Sequence, residues 1–296
     1  MQKVGKMKTQ MKILAGAIAT ATSLSAFAIP ISVDVITVVD ESGSMGGEHA
    51  WIDDAILSLN TQLIATAAGD ALSAKYGLVG YGASPPAPVD WTGGLVNETD
   101  FATATGSLRL NGGTEDGYDG MDFAFTNFTR TPGAALNIIL VTDEDRDVFD
   151  VSVTKTSIMT RFNTTNALLN AVVNCQFADG TGARALGIDS KGNAYVADGA
   201  GGFTTSAGGQ QLGSCAGTTN ADYVSLAIAT GGAAWDLNLL RAGGLTGTSF
   251  TSAFVDIKVG EIVEQQPPGQ IPEPGSLALL GLGAAAIGFA RKKKAA

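Results

Sequence analysis

Three short segments carry oxygen-bearing side chains of the kind that bind hard metal ions. The first is Asp40-Glu41-Ser42-Gly43-Ser44, which offers the carboxylate of its aspartate and the hydroxyls of its two serines. The second is the glycine-rich stretch 111–115, which contains Thr114, and the third begins at Asp143. Mg²⁺ and Ca²⁺ take oxygen ligands at about 2.0–2.6 Å, and Mg²⁺ accepts few charged ligands while it keeps water. Two aspartates and three hydroxyls therefore predict a divalent-cation site.

Two apolar segments would place the aspartates at one edge of a sheet. Residues 31–39 are rich in Val and Ile and lead directly into Asp40, and residues 136–141 lead in the same way to Asp143. Strands this apolar are covered on both faces, as in parallel sheets. Ligands of such sheets bind at the carboxyl ends of the strands. We therefore expect the two aspartates to meet there.

Strand and helix patterns alternate along the body of the chain. The predicted helices cover residues 49–67, 100–107, 116–128, 150–161, 220–230 and 249–263. The further predicted strands cover residues 75–82, 168–177 and 234–237. This alternation predicts an α/β fold with a doubly wound, mostly parallel sheet flanked by helices. The glycine-rich segment 178–219 interrupts the alternation, and Lys191-Gly192-Asn193 within it predicts a β-hairpin insertion.

The order of the three segments resembles that of the von Willebrand factor A domain and its metal-ion-dependent adhesion site. That family has Asp-x-Ser-x-Ser after its first strand, a Thr in a second loop and an Asp after its fourth strand. The matching residues here are Asp40, Ser42, Ser44, Thr114 and Asp143. The resemblance covers residues 29–264, with residues 178–219 as the insertion, and implies a Rossmann-like α/β domain.

The resemblance also implies how the site would work. Ser42 and Ser44 would bind the ion directly and Thr114 directly or through water, while the two aspartates would fix charge and position waters. The ion is expected to be Mg²⁺, with Mn²⁺ or Ca²⁺ as alternatives, and one open position would accept a carboxylate from a partner. The family usually has Gly after the final Asp, whereas Glu144 follows here and begins an acidic loop that could add a ligand.

A simpler interpretation of the first segment remains open. Serines are common at helix N-termini, where their hydroxyls accept hydrogen bonds from free backbone amides. Ser42 or Ser44 could cap the first helix in this way without binding a metal. Capping accounts for neither Thr114 nor Asp143.

The first 28 residues have the pattern of a secretory signal peptide. Four lysines lie within residues 1–12, residues 13–24 are apolar or small, and Ala26 and Ala28 are the small residues before the expected cleavage site. We expect cleavage after Ala28. The mature protein would then begin in an oxidising compartment.

The C-terminal end combines a linker with a sorting signal. Residues 265–271 form a polar, proline-rich linker, and Pro272, Glu273 and Pro274 are followed by a 14-residue apolar run and a basic tail. This order resembles the PEP-CTERM sorting signal of exopolysaccharide-producing Gram-negative bacteria. It implies a short transmembrane segment within residues 272–296, processing by an exosortase-type protease, and final placement at the cell surface or in the extracellular matrix. An ordinary C-terminal anchor is the alternative, although spanning a bilayer takes about 20 residues.

The two cysteines fit the same compartment. Cys175 and Cys215 are the only cysteines of the chain. In an exported protein a single disulfide between them is expected, closing a loop of about 40 residues. Two free, buried thiols are the alternative.

Charge and residue types exclude several kinds of function. The chain has 18 Lys and Arg against 28 Asp and Glu, and eight of the basic residues lie near the two ends, which leaves residues 29–290 with a net charge of −18. Nucleic acid is therefore not an expected partner. His49 is the only histidine, and no Ser-His-Asp set can be assembled around it. We interpret His49, and the adjacent acids Glu115 and Asp116, as solvated helix residues.

The sequence therefore predicts a secreted binding or adhesion protein, with a role in a biofilm or at the cell surface, and not an enzyme. Its partner would be a protein or an exopolysaccharide that offers a carboxylate. A structural matrix protein whose metal only stabilises the fold is the alternative. A glycosidase needs no more than two carboxylates, but the acids with defined positions are already assigned to the metal.

Overall fold

The computed structural model describes residues 30–67 and 72–266. The predicted signal peptide lies outside these residues, as do the sorting signal, the short transmembrane segment expected within it and most of the linker. Within the described part of the chain, no helix combines the length and the apolar character that a bilayer crossing needs.

The described chain forms twelve strands and seven α-helices. The strands are β1 Ile31–Asp40, β2 Leu72–Tyr81, β3 Val89–Asp90, β4 Ala135–Thr142, β5 Leu168–Val173, β6 Cys175–Ala178, β7 Arg184–Ala185, β8 Gly187–Asp189, β9 Asn193–Ala197, β10 Phe203–Ala207, β11 Gln210–Cys215 and β12 Ala233–Asp236. The helices are α1 Gly46–Thr66, α2 Glu98–Thr105, α3 Gly117–Asn127, α4 Lys155–Thr165, α5 Ser225–Ala229, α6 Leu237–Arg241 and α7 Gly244–Glu264, and a π-helical turn, Asn220–Val224, leads into α5.

Nine strands make the central sheet, in the order β10-β9-β8-β12-β5-β4-β1-β2-β3. Its five middle strands, from β12 to β2, are parallel. β3 adds an antiparallel strand at one edge, and β8, β9 and β10 add three at the other. The predicted doubly wound, mostly parallel α/β sheet is confirmed.

The apolar strands are buried on both faces, as their composition requires. On one face Val33, Val35 and Val39 of β1 pack in a cluster with residues of α1 and α7. On the other face Ile36 and Val38 pack with residues of α3 and α4. β1 lies between β2 and β4 in the sheet. Its final residue therefore emerges at the carboxyl edge between two other parallel strands.

The insertion contributes more to the sheet than the sequence predicts. The hairpin around residues 191–193 is confirmed as β8 and β9, but together with β10 it extends the central sheet. The strand predicted over residues 168–177 is two strands, since the chain leaves the central sheet after β5 and β6 joins a second sheet between β7 and β11. The predicted disulfide between Cys175 and Cys215 is present and links β6 to β11.

The observed bounds of two helices differ from the predicted ones. The helix expected to begin at residue 150 begins at Lys155, because Thr154 caps it through a capping box with Ser157. The last helix begins at Gly244 instead of residue 249, and α6 before it was not predicted. The short α6 matters for the site, since its last residue reaches the carboxyl edge.

Candidate metal centre

Asp40 ends β1 and is fully buried at the carboxyl edge of the sheet. One carboxylate oxygen accepts the Ser42 backbone N–H at 2.7 Å, and the other accepts the Thr142 hydroxyl at 3.0 Å. Burial raises the pKa of Asp40 to about 6, against the lowering effect of these hydrogen bonds, and the nearby charge of Asp143 raises it further.

The two serines and the second aspartate form one hydrogen-bonded group. The hydroxyls of Ser42 and Ser44 lie 3.0 Å apart, and the Ser44 hydroxyl donates to Oδ1 of Asp143 at 3.0 Å. Ser44 is exposed, whereas Ser42 and Asp143 are buried. Neither serine caps α1, whose N-cap residue is Met45 and makes no side-chain capping bond. The alternative of a simple helix cap is therefore wrong.

The second loop reaches the same edge through its backbone. The N–H of Gly112 donates to the carbonyl oxygen of Glu41 at 3.2 Å, and the N–H of Gly113 donates to that of Gly82 at 3.2 Å. A Cβ atom at Gly112 would lie 1.7 Å from the Gly82 carbonyl oxygen, so only glycine permits this approach. Thr114 follows directly and is exposed to solvent.

Glu115 is a site residue that the sequence interpretation missed. It is only 3% exposed, so the prediction of a solvated helix face is wrong for it and for Asp116, which is 2% exposed. Carboxylate oxygens of Asp40, Glu115 and Asp143 all lie within 4.8 Å of one another. Burial raises the pKa of Glu115 to about 8, and the charges of the neighbouring acids, Asp40 first, raise it too.

Arg241, the last residue of α6, supplies positive charge beside the site. Its guanidinium donates to Oδ2 of Asp143 at 2.8 Å, to the Ser44 carbonyl oxygen at 3.2 Å, and to the buried carboxylate of Glu48. These two carboxylates, Glu48 first, raise the pKa of Arg241. No sequence signal identifies Arg241, because its partners lie 98 and 193 residues away in the chain.

The acidic loop after Asp143 is held by other contacts. Arg146 binds Asp116 with two hydrogen bonds of 2.6 and 2.9 Å, and Asp145 accepts the N–H of Thr218 at 3.1 Å. Asp147 exchanges backbone and side-chain hydrogen bonds with Glu115 at 3.1 and 3.4 Å. Glu144 is exposed. The acidic loop thus fixes the positions of Glu115 and of the start of α3. Glu144, which directly follows Asp143, remains in contact with solvent.

Trp91, Arg109 and His49 hold the first loop, residues 40–44, through hydrogen bonds. One oxygen of the buried Glu41 accepts the Trp91 indole N–H at 3.1 Å and the Arg109 backbone N–H at 2.6 Å. His49 is buried, not solvated as expected, and its Nε2 donates to the Asp40 carbonyl oxygen at 2.8 Å. Burial lowers the pKa of His49. These contacts position the first loop, and those of His49 do so through a backbone oxygen and not through the Asp40 carboxylate.

The residues of the site fit a divalent cation. A buried group of three carboxylates is costly without a compensating charge, and Oε2 of Glu115 has no hydrogen-bond partner among the described residues. Oxygen ligands would come from Asp40, Glu115, Asp143, Ser42 and Ser44, and Thr114, which precedes Glu115, is exposed to solvent. A cation held there would offer a Lewis-acidic position facing solvent.

Comparisons with known proteins found one family model and a set of solved structures similar to parts of this chain. Residues 270–294 match the family model described as the PEP-CTERM protein-sorting motif. None of the curated proteins compared with the chain matches it. Among solved structures, a von Willebrand factor type A protein from Catenulispora acidiphila is 17% identical over 48% of this chain and 33% of its own, with a TM-score of 0.36.

Two other solved structures are similar to the same extent. The VWA domain of SpRpn10 is 15% identical over 48% of this chain and 75% of its own, with a TM-score of 0.38. Proximal thread matrix protein 1 from the mussel byssus, with a zinc-occupied MIDAS motif, is 14% identical over 50% of this chain and 37% of its own, with a TM-score of 0.37. The matched part of this chain thus spans about a third of two of these three proteins.

The sheet, its flanking helices and the three loops at its carboxyl edge define a doubly wound, mostly parallel α/β protein. The C-terminal motif adds that the protein is one sorted for export through exosortase processing, with a transient C-terminal membrane anchor.

Proposed function

We propose that this protein is a secreted binding protein that holds its partner through a divalent cation at the carboxyl edge of its sheet. The observation that carries the proposal is the convergence of three separate loops on one buried group of carboxylates, Asp40, Glu115 and Asp143, bordered by exposed Ser44. A partner's carboxylate would complete the coordination of the ion. Sorting by the exosortase system would place the protein at the surface or in the matrix of a Gram-negative cell.

A binding role is proposed in preference to a catalytic one. The only histidine of the sequence, His49, is buried and bound to a backbone carbonyl, so it is not available as a base. The three clustered acids point at one another, which suits a cation and not a pair of acid and base on either side of a sugar ring.

A protein partner is favoured over a polysaccharide by the side chains beside the site. Val148, Phe149 and Val151 are 57%, 49% and 82% exposed. They follow the loop that holds Glu115, and the N–H of Phe149 donates to Asp116 at 2.9 Å. Exposed apolar side chains grouped in one loop are typical of protein-binding surfaces.

The first test is calorimetric titration of the purified exported protein with Mg²⁺, Mn²⁺ and Ca²⁺. We expect saturable binding that Asp40→Asn and the Ser42→Ala/Ser44→Ala double variant weaken about tenfold or more, since each removes ligand charge or oxygens. Asp34→Asn is the matched control, because Asp34 is an equally buried acid at the other end of β1. It should leave metal binding unchanged.

Partner binding is then measured with and without chelator. Surface proteins and exopolysaccharide isolated from the producing cells are each presented to the metal-loaded protein. We expect chelator to abolish retention on the protein fraction. A folded wild-type protein that binds no divalent ion would refute the proposal, and a metal that only raises the melting temperature, with retention unaffected by chelator, would favour the matrix alternative.

A further inference from the structure

Glu115 lies in the metal centre without belonging to the pattern that identifies the other five residues. Glu115 is only 3% exposed, and its Oε2 atom has no hydrogen-bond partner within the described residues. Its carboxylate lies within 4.8 Å of those of Asp40 and Asp143. Burying an unpartnered carboxylate oxygen among other carboxylates is unfavourable unless a cation joins them.

The backbone around Glu115 is fixed on both sides. Its carbonyl oxygen accepts the Asp147 N–H at 3.1 Å, and its own N–H donates to the Asp147 carboxylate at 3.4 Å. The next residue, Asp116, caps α3 and binds Arg146. On the other side, Gly112 is packed against the Gly82 carbonyl oxygen. The Glu115 carboxylate is therefore held near the ion position by structure on each side of it.

The positive charges near the site do not neutralise this carboxylate. Arg241 pairs with Asp143 and Glu48, and Arg146 pairs with Asp116. Among the residues that the structure describes, no lysine or arginine forms a salt bridge with Glu115 or with Asp40. A divalent cation would supply the missing charge at the point where these two carboxylates approach Asp143.

We infer that Glu115 is a direct third carboxylate ligand of the cation and that it makes the site select Ca²⁺ over Mg²⁺. The inference rests on the metal site proposed above. Ca²⁺ takes six to eight oxygens at about 2.3–2.6 Å and accepts several carboxylates, whereas Mg²⁺ prefers one or two and keeps its waters. Three oxygens within 4.8 Å of one another share a point no more than about 2.8 Å from each, which is close to the longest Ca²⁺–oxygen bonds of about 2.6 Å and well beyond the Mg²⁺ bonds of about 2.0–2.1 Å.

The test compares Glu115→Gln with Glu144→Gln in titrations with Ca²⁺ and Mg²⁺. Both variants remove one negative charge, but Glu144 is exposed whereas Glu115 is buried. We expect Glu115→Gln to weaken Ca²⁺ binding about tenfold or more and Mg²⁺ binding less than about threefold, which abolishes the selectivity. Glu144→Gln should leave both affinities within about twofold of the wild type.

The melting temperature in chelator separates a ligand from a structural residue. Removal of one of three clustered charges should raise the melting temperature of metal-free Glu115→Gln, whereas loss of a structural contact would lower it. Glu115→Asp keeps the charge and shortens the side chain, so it should fold and also bind Ca²⁺ more weakly. Glu115→Gln with wild-type Ca²⁺ affinity would overturn this inference alone, and a wild-type protein that binds neither ion would overturn the proposed function with it.

Discussion

Asp40 and Glu115 are buried acids that hold their protons more tightly in the folded chain than in the unfolded one. The pKa is about 6 for Asp40 and about 8 for Glu115, in both cases chiefly because of burial. A raised carboxylate pKa stabilises the fold at low pH, where the acid is neutral in the folded state, and this stabilisation is lost as the pH rises through the folded-state pKa.

We therefore predict that the melting temperature of the metal-free protein falls between about pH 5 and pH 8.5. With saturating cation the trend should reverse, because the ion binds the ionised carboxylates and its stabilisation grows as they lose their protons. Differential scanning calorimetry in chelator and in excess cation measures both curves.

The exposed acid Glu144 supplies the control for this pH dependence. Glu144→Gln should shift the chelator curve slightly to lower pH, because the charge of Glu144 helps to raise the pKa of Glu115. Glu115→Gln should instead flatten the chelator curve in its upper half. The pKa values of Asp150 and Asp179 are lowered, chiefly by side-chain hydrogen bonds to Ser152 and Thr181. Their effects therefore fall below about pH 4, outside the window. A chelator curve that is flat or rising would contradict the prediction.

The charge of the site also bears on how a partner would be held. A third carboxylate reduces the net positive charge that the ion presents, so an anionic partner gains less from the ion itself. Arg241, 33% exposed in its side chain beside Asp143, returns part of that charge. Affinity would then depend more on other contacts, such as those that the exposed side chains of residues 148–151 could make.

The loop that carries Thr114 and Glu115 depends on one close approach between two backbones. A Cβ at Gly112 would lie 1.7 Å from the Gly82 carbonyl oxygen and 2.7 Å from the Ala83 Cα, atoms that cannot rotate away. A Cβ at the neighbouring Gly113 would have no atom within 4 Å, and the φ of Gly113 is not left-handed. The two glycines are thus adjacent and differ in whether a side chain fits.

We predict that Gly112→Ala costs about 2–3 kcal/mol of unfolding free energy, as overpacking does, and weakens metal binding about tenfold or more by displacing Glu115. Gly113→Ala should change stability by no more than about 0.5 kcal/mol and leave metal binding intact. Urea denaturation and calorimetric titration measure the two effects. Equal behaviour of the two variants would show that the loop adapts and that its position does not depend on Gly112.

The sequence predicts those parts of the fold and site that depend on local pattern. β1 and β4 are rich in Val, Ile and Leu, which only a strand covered on both faces can bury, and each leads to an aspartate. Because parallel strands end at one edge, Asp40 and Asp143 had to meet there. The hairpin around Gly192 is likewise encoded by its own turn residues.

Features that depend on distant partners could not be predicted in this way. Adjacent acids at a helix start are usually solvated, but Asp116 is buried because Arg146, 30 residues later, pairs with it. Glu115 is then buried beside it. Arg241 reaches the site only because α6 begins directly after β12. The extra edge strands of the insertion depend on pairing between β8 and β12, which no local pattern specifies.

At the scale of the whole molecule, the cation site and the insertion lie on different parts of the sheet. The disulfide joins β6 to β11 in the second sheet, across a sequence separation of 40 residues. In the chain-entropy model a closed loop of that length restricts the unfolded state by about 4 kcal/mol. This stabilisation does not depend on the metal, so it is expected with and without bound divalent ions.

The sorting motif and the metal site should be separable, since the site is built entirely from residues 40–241 and the motif covers residues 270–294. We predict that alanine at Pro272, Glu273 and Pro274 together blocks processing, so that the protein stays full-length at its C-terminus and remains in the membrane fraction. The wild type should be released in a shortened form, because a proline-flanked acid before an apolar run is what the exosortase-type protease would recognise. Intact-mass spectrometry of the membrane and released fractions measures this.

The matched control is Pro267→Ala/Pro268→Ala, which changes prolines just before the motif and should be processed as the wild type is. The triple variant, extracted with detergent, should bind divalent cation with wild-type affinity, because none of its changes touches the three loops. Wild-type processing of the triple variant would show that recognition depends on the apolar run and basic tail instead. Loss of metal binding in that variant would show that the sorting motif and the metal site are coupled through the fold.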